Sequence, residues 1–96
     1  MAKYELSEAA DRDLNDIYIY SYREFGEAKV DAYLRSLAEC FERLAEFPGI
    51  GRPIDHIRPG YFRFPHASHT VFFVRIADGI RIVRVLHQRM DPDRHI

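Results

Sequence analysis

The chain has one cysteine, Cys40, only two lysines, Lys3 and Lys29, and no apolar run approaching the roughly 18 residues that a membrane crossing needs. Each shortage closes a class. A single thiol forms no internal disulfide, so the chain is not a stapled secreted scaffold, and Cys40 fits as a small core residue in a reducing cytoplasm. The first residues, MAKYELSEAADRD, hold no apolar segment of the signal-peptide kind, so neither export nor membrane contact is expected. Net charge is −1, without the basic excess of a general nucleic-acid binder, and no direct sequence-specific DNA binding by this chain is expected. No Ser/His/Asp pattern or nucleophilic cysteine context is present. Gly49, Gly51 and Gly60 stand among prolines and precede a strand pattern, the wrong setting for a phosphate-binding loop.

The 96 residues are read as a single domain, 1–96, with 47% apolar and 30% charged residues, an ordinary globular balance. The charge is unevenly spread. Residues 1–48 carry 6 Lys and Arg against 11 Asp and Glu, a net −5, whereas residues 49–96 carry 8 Arg against 4 Asp, a net +4, and all 5 histidines. An acidic half joined to a basic half implies a surface with two faces.

Residues 2–6 alternate as a short edge strand. Ser7 suits a helix N-cap, with Glu8, Asp11 and Asp13 in the first turns, although no Glu or Gln completes a capping box. Ala10, Leu14, Ile17, Ser21 and Phe25 form one face of a helix, with Tyr18 beside them, and Gly26 ends it in a left-handed conformation. Val30, Tyr33, Leu34, Leu37, Phe41 and Leu44 form the face of a second helix, stopped by Pro48 and Gly49, so the two make a helical hairpin. Residues 48–60, with three prolines and three glycines, read as a structured loop. The period then turns to two. Tyr61–Phe64, His69–Ile76 and Ile80–Leu86 read as strands, HTVFFVRI as a central one covered on one face, and Asp78-Gly79 as a type I′ turn. The expected class is α+β, in the order β-α-α-β-β-β, with the helical hairpin packed on one face of a small, mainly antiparallel sheet.

The residues that can carry chemistry cluster late. His66-x-x-His69 has two imidazoles, but zinc needs three or four ligands, and residues three apart on a strand point to opposite faces. His87, Asp91 and His95 have no defined arrangement around them, so no metal and no cofactor is expected. Arg63, Arg75, Arg84, His87 and Arg89 could converge on one sheet face for metal-free RNA cleavage, which needs a base, an acid and cations. Arginines alternating along a strand are more often its solvated side. Asp91-Pro92-Asp93 reads as a turn ending the sheet rather than an acid pair. Most of the 6 tyrosines and 7 phenylalanines must be core, with some left to rim a groove for a partner's helix or strand.

YELSEAADRDLNDIYIYSYREFG, YLRSLAECFERLAEFPGIGRP, IRPGYFRFPHASHTVFFV and IRIVRVLHQRMD, in this order and spacing, resemble ParE-type toxins of the RelE/ParE superfamily of bacterial toxin–antitoxin modules, from about Tyr4 to Asp91. The resemblance implies the fold just reached. It also implies a non-enzymatic toxin that inhibits DNA gyrase and arrests growth, held silent in a hetero-oligomer by a ParD-like antitoxin. RelE-type relatives instead cleave mRNA on the ribosome. The sparse basic cluster departs from that branch, while His87 stands near the place of its terminal catalytic group. A toxin that only binds its antitoxin and co-represses is a third alternative. On this resemblance Arg84, His87, Arg89 and Met90 are candidates for gyrase contact. Leu14, Ile17, Tyr18, Leu34, Leu37 and Phe41 are candidates for antitoxin binding in a groove between the helices and the sheet. The acidic first half favours a basic or mixed antitoxin segment.

Overall fold

A computed structural model describes residues 2–96. Strand β1 (Lys3–Leu6) leads into helix α1 (Glu8–Phe25), which only Gly26 separates from α2 (Glu27–Glu46). A single 3-10 turn, Pro48–Ile50, passes to β2 (Arg52–Pro53). Strands β3 (Tyr61–His66), β4 (His69–Ile76) and β5 (Gly79–His87) follow, and the one-turn helix α3 (Pro92–His95) closes the chain. The strands form one sheet in the order β1-β5-β4-β3-β2. The β1–β5 pair is parallel and the other pairs are antiparallel. This is the expected α+β fold, with β2 and α3 added to it.

Ser7 does more than cap. Its hydroxyl oxygen accepts from the Ala10 N–H at 3.0 Å, its hydroxyl donates to the Val83 carbonyl at 2.8 Å, and its own N–H donates to Ile82 at 2.9 Å. One residue thus starts α1 and covers the edge of β5 where β1 runs out. Gly26 has φ 86° and ψ 173°, so it sits in the extended mirror region rather than the expected left-handed helical one. That conformation is nearly confined to glycine, and it allows two helices to be joined through one residue.

The main core lies between the helical hairpin and one sheet face. Ala10, Ile17, Leu37, Cys40, Phe41 and Leu44 meet Val71, Phe73, Ile80, Ile82 and Val85. Burial raises the Cys40 thiol above its ordinary value. A second, smaller cluster lies on the opposite face, where Phe72 and Leu86 are covered by Ile54 and flanked by Ile57, Tyr61, Val83 and Ile96. The apolar run in β4 therefore reflects cover on both faces, not on one as its pattern was read. A β-bulge at Val83 lets β5 serve both clusters. Phe72 pairs with Arg84 and Phe73 with Ile82, leaving Val83 as the extra residue.

Two further expectations change. Ile76 pairs with Gly79, so the β4–β5 loop is Ala77-Asp78, and no residue in it has a positive φ, which rules out a type I′ turn. Strand β3 runs two residues past Phe64. Pro65 fits there because β2 pairs only with Phe62 and Arg63, leaving that end of β3 as a sheet edge that needs no N–H.

Candidate functional site

Two hairpins bring three histidines into one row at the end of the sheet. His66 pairs with His69 across β3–β4, and His69 pairs with His87 across β4–β5. The argument that His66 and His69 face opposite ways fails because a two-residue turn, Ala67-Ser68, lies between them. Cross-strand partners share a face. Ala67 turns the chain with φ 52°, the only positive φ of a non-glycine residue among those described.

Helix α2 lies over this row. The Tyr33 hydroxyl lies 2.6 Å from His69 Nδ1 and 3.4 Å from the His66 carbonyl. The two contacts fit two arrangements of neutral His69: the hydroxyl donates to a free Nδ1, or Nδ1–H donates to the hydroxyl oxygen while the hydroxyl donates to the His66 carbonyl. Ser36 donates to the Tyr33 carbonyl at 2.7 Å, so its oxygen is left to accept from His66 Nε2 at 2.9 Å. The rings of His69 and His87 meet edge to face at 5.5 Å, and His87 Nδ1 accepts from the Arg89 N–H at 3.2 Å. Burial, followed by the charges of His87 and His66, pulls His69 below 6.5, and Asp13 opposes the shift. Burial and then Arg43 pull His66 the same way. Burial pushes the Tyr33 hydroxyl above 10.0 against hydrogen bonding to Ser68. The row is therefore neutral at its inner end at physiological pH.

A cavity of about 660 Å³ opens between α1, the start of α2 and this row. Ile17, Tyr20, Ser21 and Phe25 come from α1, with Asp16 beside them. Lys29 and Tyr33 come from α2, and Ser68, His69 and His87 from the sheet. Tyr20 is 63% and Phe25 59% exposed at the rim, and the Lys29 ammonium lies 5.9 Å from the centre of the Phe25 ring. Apolar walls over a few convergent polar groups suit a segment that inserts apolar side chains and hydrogen-bonds at its base. Among the described residues no group of three His, Cys, Asp or Glu side chains could hold a metal ion.

The residues singled out from the sequence are spread over different places. Of the four proposed for the target, His87 lines the cavity, while Arg89 and Met90 are exposed just beyond it. Arg84 is committed elsewhere. Its Nε and Nη2 donate to the two Asp13 carboxylate oxygens at 2.8 Å each, and Nη1 donates to the His95 carbonyl at 2.7 Å. The hydrogen bond to Asp13 raises the guanidinium's already high value further. Asp13 also accepts from the Val85 N–H at 2.9 Å. Arg84 thus ties α1, β5 and the C-terminal turn together. The arginines do not converge either. Arg75 lies over the Phe62 ring at 5.6 Å on the helix side, while Arg63 alternates to the other face.

Of the six proposed for the antitoxin, only Ile17 lines the cavity. Leu14 and Leu34 are partly buried against the core, and Tyr18 is exposed and stacked on Tyr22. Leu37 and Phe41 are corrected: at 1% and 2% exposed they belong to the core and offer no groove surface, because α2 turns that stripe flat onto β4 and β5. Tyr20, Tyr33, Ser68 and His69 also line the cavity and were not among the residues proposed for either partner. The signal for His69 was present in the two short loops, which fix both hairpin registers.

Comparison with known proteins adds the following. Residues 4–92 match the family model described as the ParE toxin of the type II toxin–antitoxin system parDE. The chain is 44% identical over 96 residues to Toxin ParE1 of Mycobacterium tuberculosis, covering 99% of this chain and 98% of that protein. It is 41% identical over 96 residues to Toxin ParE1 of Caulobacter vibrioides, covering 100% and 99%. It is 33% identical over 92 residues to Toxin ParE of Escherichia coli, covering 95% and 89%. A solved structure described as the chromosomal ParDE toxin–antitoxin system from P. aeruginosa shares the fold. Its TM-score is 0.78 at 21% identity, covering 91% of this chain and 96% of that one.

Proposed function

The chain belongs to the ParE toxin family of type II toxin–antitoxin systems, and from that premise we propose that it is a toxin that inhibits DNA gyrase without chemistry of its own and is silenced by a ParD-like antitoxin seated in the cavity. The observation that carries this reading is that one open cavity joins an apolar wall, Ile17, Tyr20 and Phe25, to His87 at the start of the exposed end Gln88–Met90. An antitoxin segment laid on that wall covers His87 and stands beside Arg89 and Met90. Occupancy by antitoxin and contact with the target then exclude each other, which is a direct way to silence a toxin. Silencing calls for nanomolar affinity or better, about −12 kcal/mol, and a disordered segment folding across exposed apolar surface supplies it most readily. Asp16 and Lys29 flank the wall, so the matching segment carries mixed charge.

The histidine row favours a second reading, ribosome-dependent mRNA cleavage, because His69 and His87 offer neighbouring acid and base groups. That reading must do without Arg84, which is held by Asp13, and leaves Lys29 as the cation lining the cavity. Gyrase supercoiling with purified protein, with and without the antitoxin, separates the two. Inhibition with accumulation of cleaved DNA, relieved by antitoxin, is expected. Tyr20→Glu is expected to keep the inhibition but lose the relief, and His87→Ala to weaken the inhibition. Untouched gyrase alongside mRNA cut on translating ribosomes would replace the first reading with the second.

A further inference from the structure

The sheet face turned away from the helices carries an arrangement the toxin reading does not use. Arg52 and Arg63 are directly paired across β2 and β3, and both are exposed. Like charges placed opposite one another on a sheet repel. Neither has a carboxylate partner. Among the described residues the ion pairs are Arg81 with Glu5 and Arg84 with Asp13. A third exposed guanidinium, Arg58, lies 5.6 Å over the ring of Tyr61, which is two residues before Arg63 and so on the same face. Asp55, in the loop between β2 and β3, accepts from the Gly60 N–H at 2.9 Å and is in neither ion pair.

We propose that Arg52, Arg58 and Arg63 form a docking face for the phosphate backbone of duplex DNA, independent of base sequence. The whole chain carries no basic excess, so the attraction is local to this face: three guanidiniums outside any ion pair, two of them held side by side by strand pairing, are relieved of repulsion by a polyanion. A protein partner fits less well, because the large exposed apolar side chains lie on α1, at Leu6 and Met90 and in the turn holding Phe47 and Ile50, and none lies on β2, β3 or the loop between them to anchor an interface on this face. A single strand fits less well too. It needs bare aromatic rings for its bases, whereas Tyr61 is covered by Arg58 and Phe72 is buried. The face lies across the sheet from the cavity, so it stays open when the cavity is filled. It goes beyond the gyrase reading and does not depend on it.

The test is fluorescence anisotropy of the full chain with a duplex of arbitrary sequence, in which no gyrase is present, so failure of the gyrase reading leaves the result intact. Three phosphate contacts give a slope of log K against log salt of about −2.7, an affinity loss of about 40-fold between about 50 and 200 mM salt. Arg52→Gln and Arg63→Gln are each expected to reduce the slope by about one, and Arg63→Lys to keep it. Both residues are exposed, so the variants are expected to melt no lower than the parent. Absent binding at about 50 mM salt, or binding unchanged in the Arg52→Gln/Arg63→Gln double variant, would overturn the proposal. So would polyglutamate competing as well as duplex, or a single strand binding more tightly.

Discussion

The Tyr33 hydroxyl and His69 Nδ1 lie 2.6 Å apart beneath the cavity, joining α2 to the first residue of β4. In the neutral ring Nδ1 either accepts from the hydroxyl or donates to its oxygen. A protonated His69 donates from Nδ1 and stands as a cation 5.5 Å, ring to ring, from His87.

Stability is therefore expected to fall on mild acidification. His66 and His69 are both held below 6.5 in the folded chain, mainly by burial. In the window from 6.5 down to their folded values the unfolded chain binds more protons. Their contribution is complete above that window and is lost as pH drops through it. Thermal melts between about pH 8 and pH 5 should show a falling midpoint, and His66→Gln/His69→Gln should flatten the fall. A midpoint that rises on acidification would refute the neutral row.

Asp13 is expected to matter more for folding than an ordinary surface acid. It takes two charge-assisted bonds from Arg84 and one from the Val85 N–H, and the side chains of the Arg84–Asp13 pair are only 23% and 11% exposed. Asp13→Ala leaves Arg84 with the His95 carbonyl as its one remaining acceptor and the Val85 edge amide with none, at a cost of about 2–3 kcal/mol. A double-mutant cycle with Arg84→Ala should give coupling above about 1 kcal/mol. Chemical denaturation checks both, and a cost within about 0.5 kcal/mol would mean solvent replaces the pair. The cycle also bears on toxicity assays, since an Arg84 variant that loses activity by loosening the C-terminal turn must be told apart from one that loses a target contact.

Periodicity was enough to reveal the two long helices, four of the five strands and the Ser7 cap, because local spacing decides them. What it could not show depends on pairing. The Val83 bulge flips the faces of β5 midway, so alternation counted from Ile80 and Ile82 turns Val85 away from the main core, to which it belongs. Leu37 and Tyr33 share one stripe of α2, yet one is core and the other site, because the sheet ends beneath the first turns of the helix. The row His66–His69–His87 exists only once two registers are fixed.

Gly79 was read as a turn residue, and its true constraint is contact. A Cβ there would collide with the backbone of Lys3, its partner in β1. Gly79→Ala is expected to push β1 away from β5, breaking the bond from the Lys3 N–H to the Asp78 carbonyl at 2.9 Å and costing about 1–3 kcal/mol. Hydrogen exchange should then show faster exchange at Lys3 through Ser7 while the β3–β4 amides stay protected. Unchanged protection in β1 would show that the strand can shift without losing its pairing.

Ala67 is the reverse case, a residue with a side chain where glycine fits better. Its φ of 52° places the Cβ against the following carbonyl, at roughly 1 kcal/mol for a residue other than glycine. Ala67→Gly removes that strain but gives the unfolded chain more freedom, which offsets part of the gain. The net expectation is a stabilisation of about 0.5 kcal/mol, read from the denaturation midpoint at unchanged slope. Ala67→Val should move the other way, because a β-branched side chain is still less tolerant of positive φ. The turn fixes the pairing of His66 with His69, so the same two variants should shift the His69 ring signals in NMR. If Ala67→Gly destabilises the protein and leaves those signals in place, the turn is relaxed as it stands, and the register of the histidine row is held by Tyr33 and Ser36 from α2 instead.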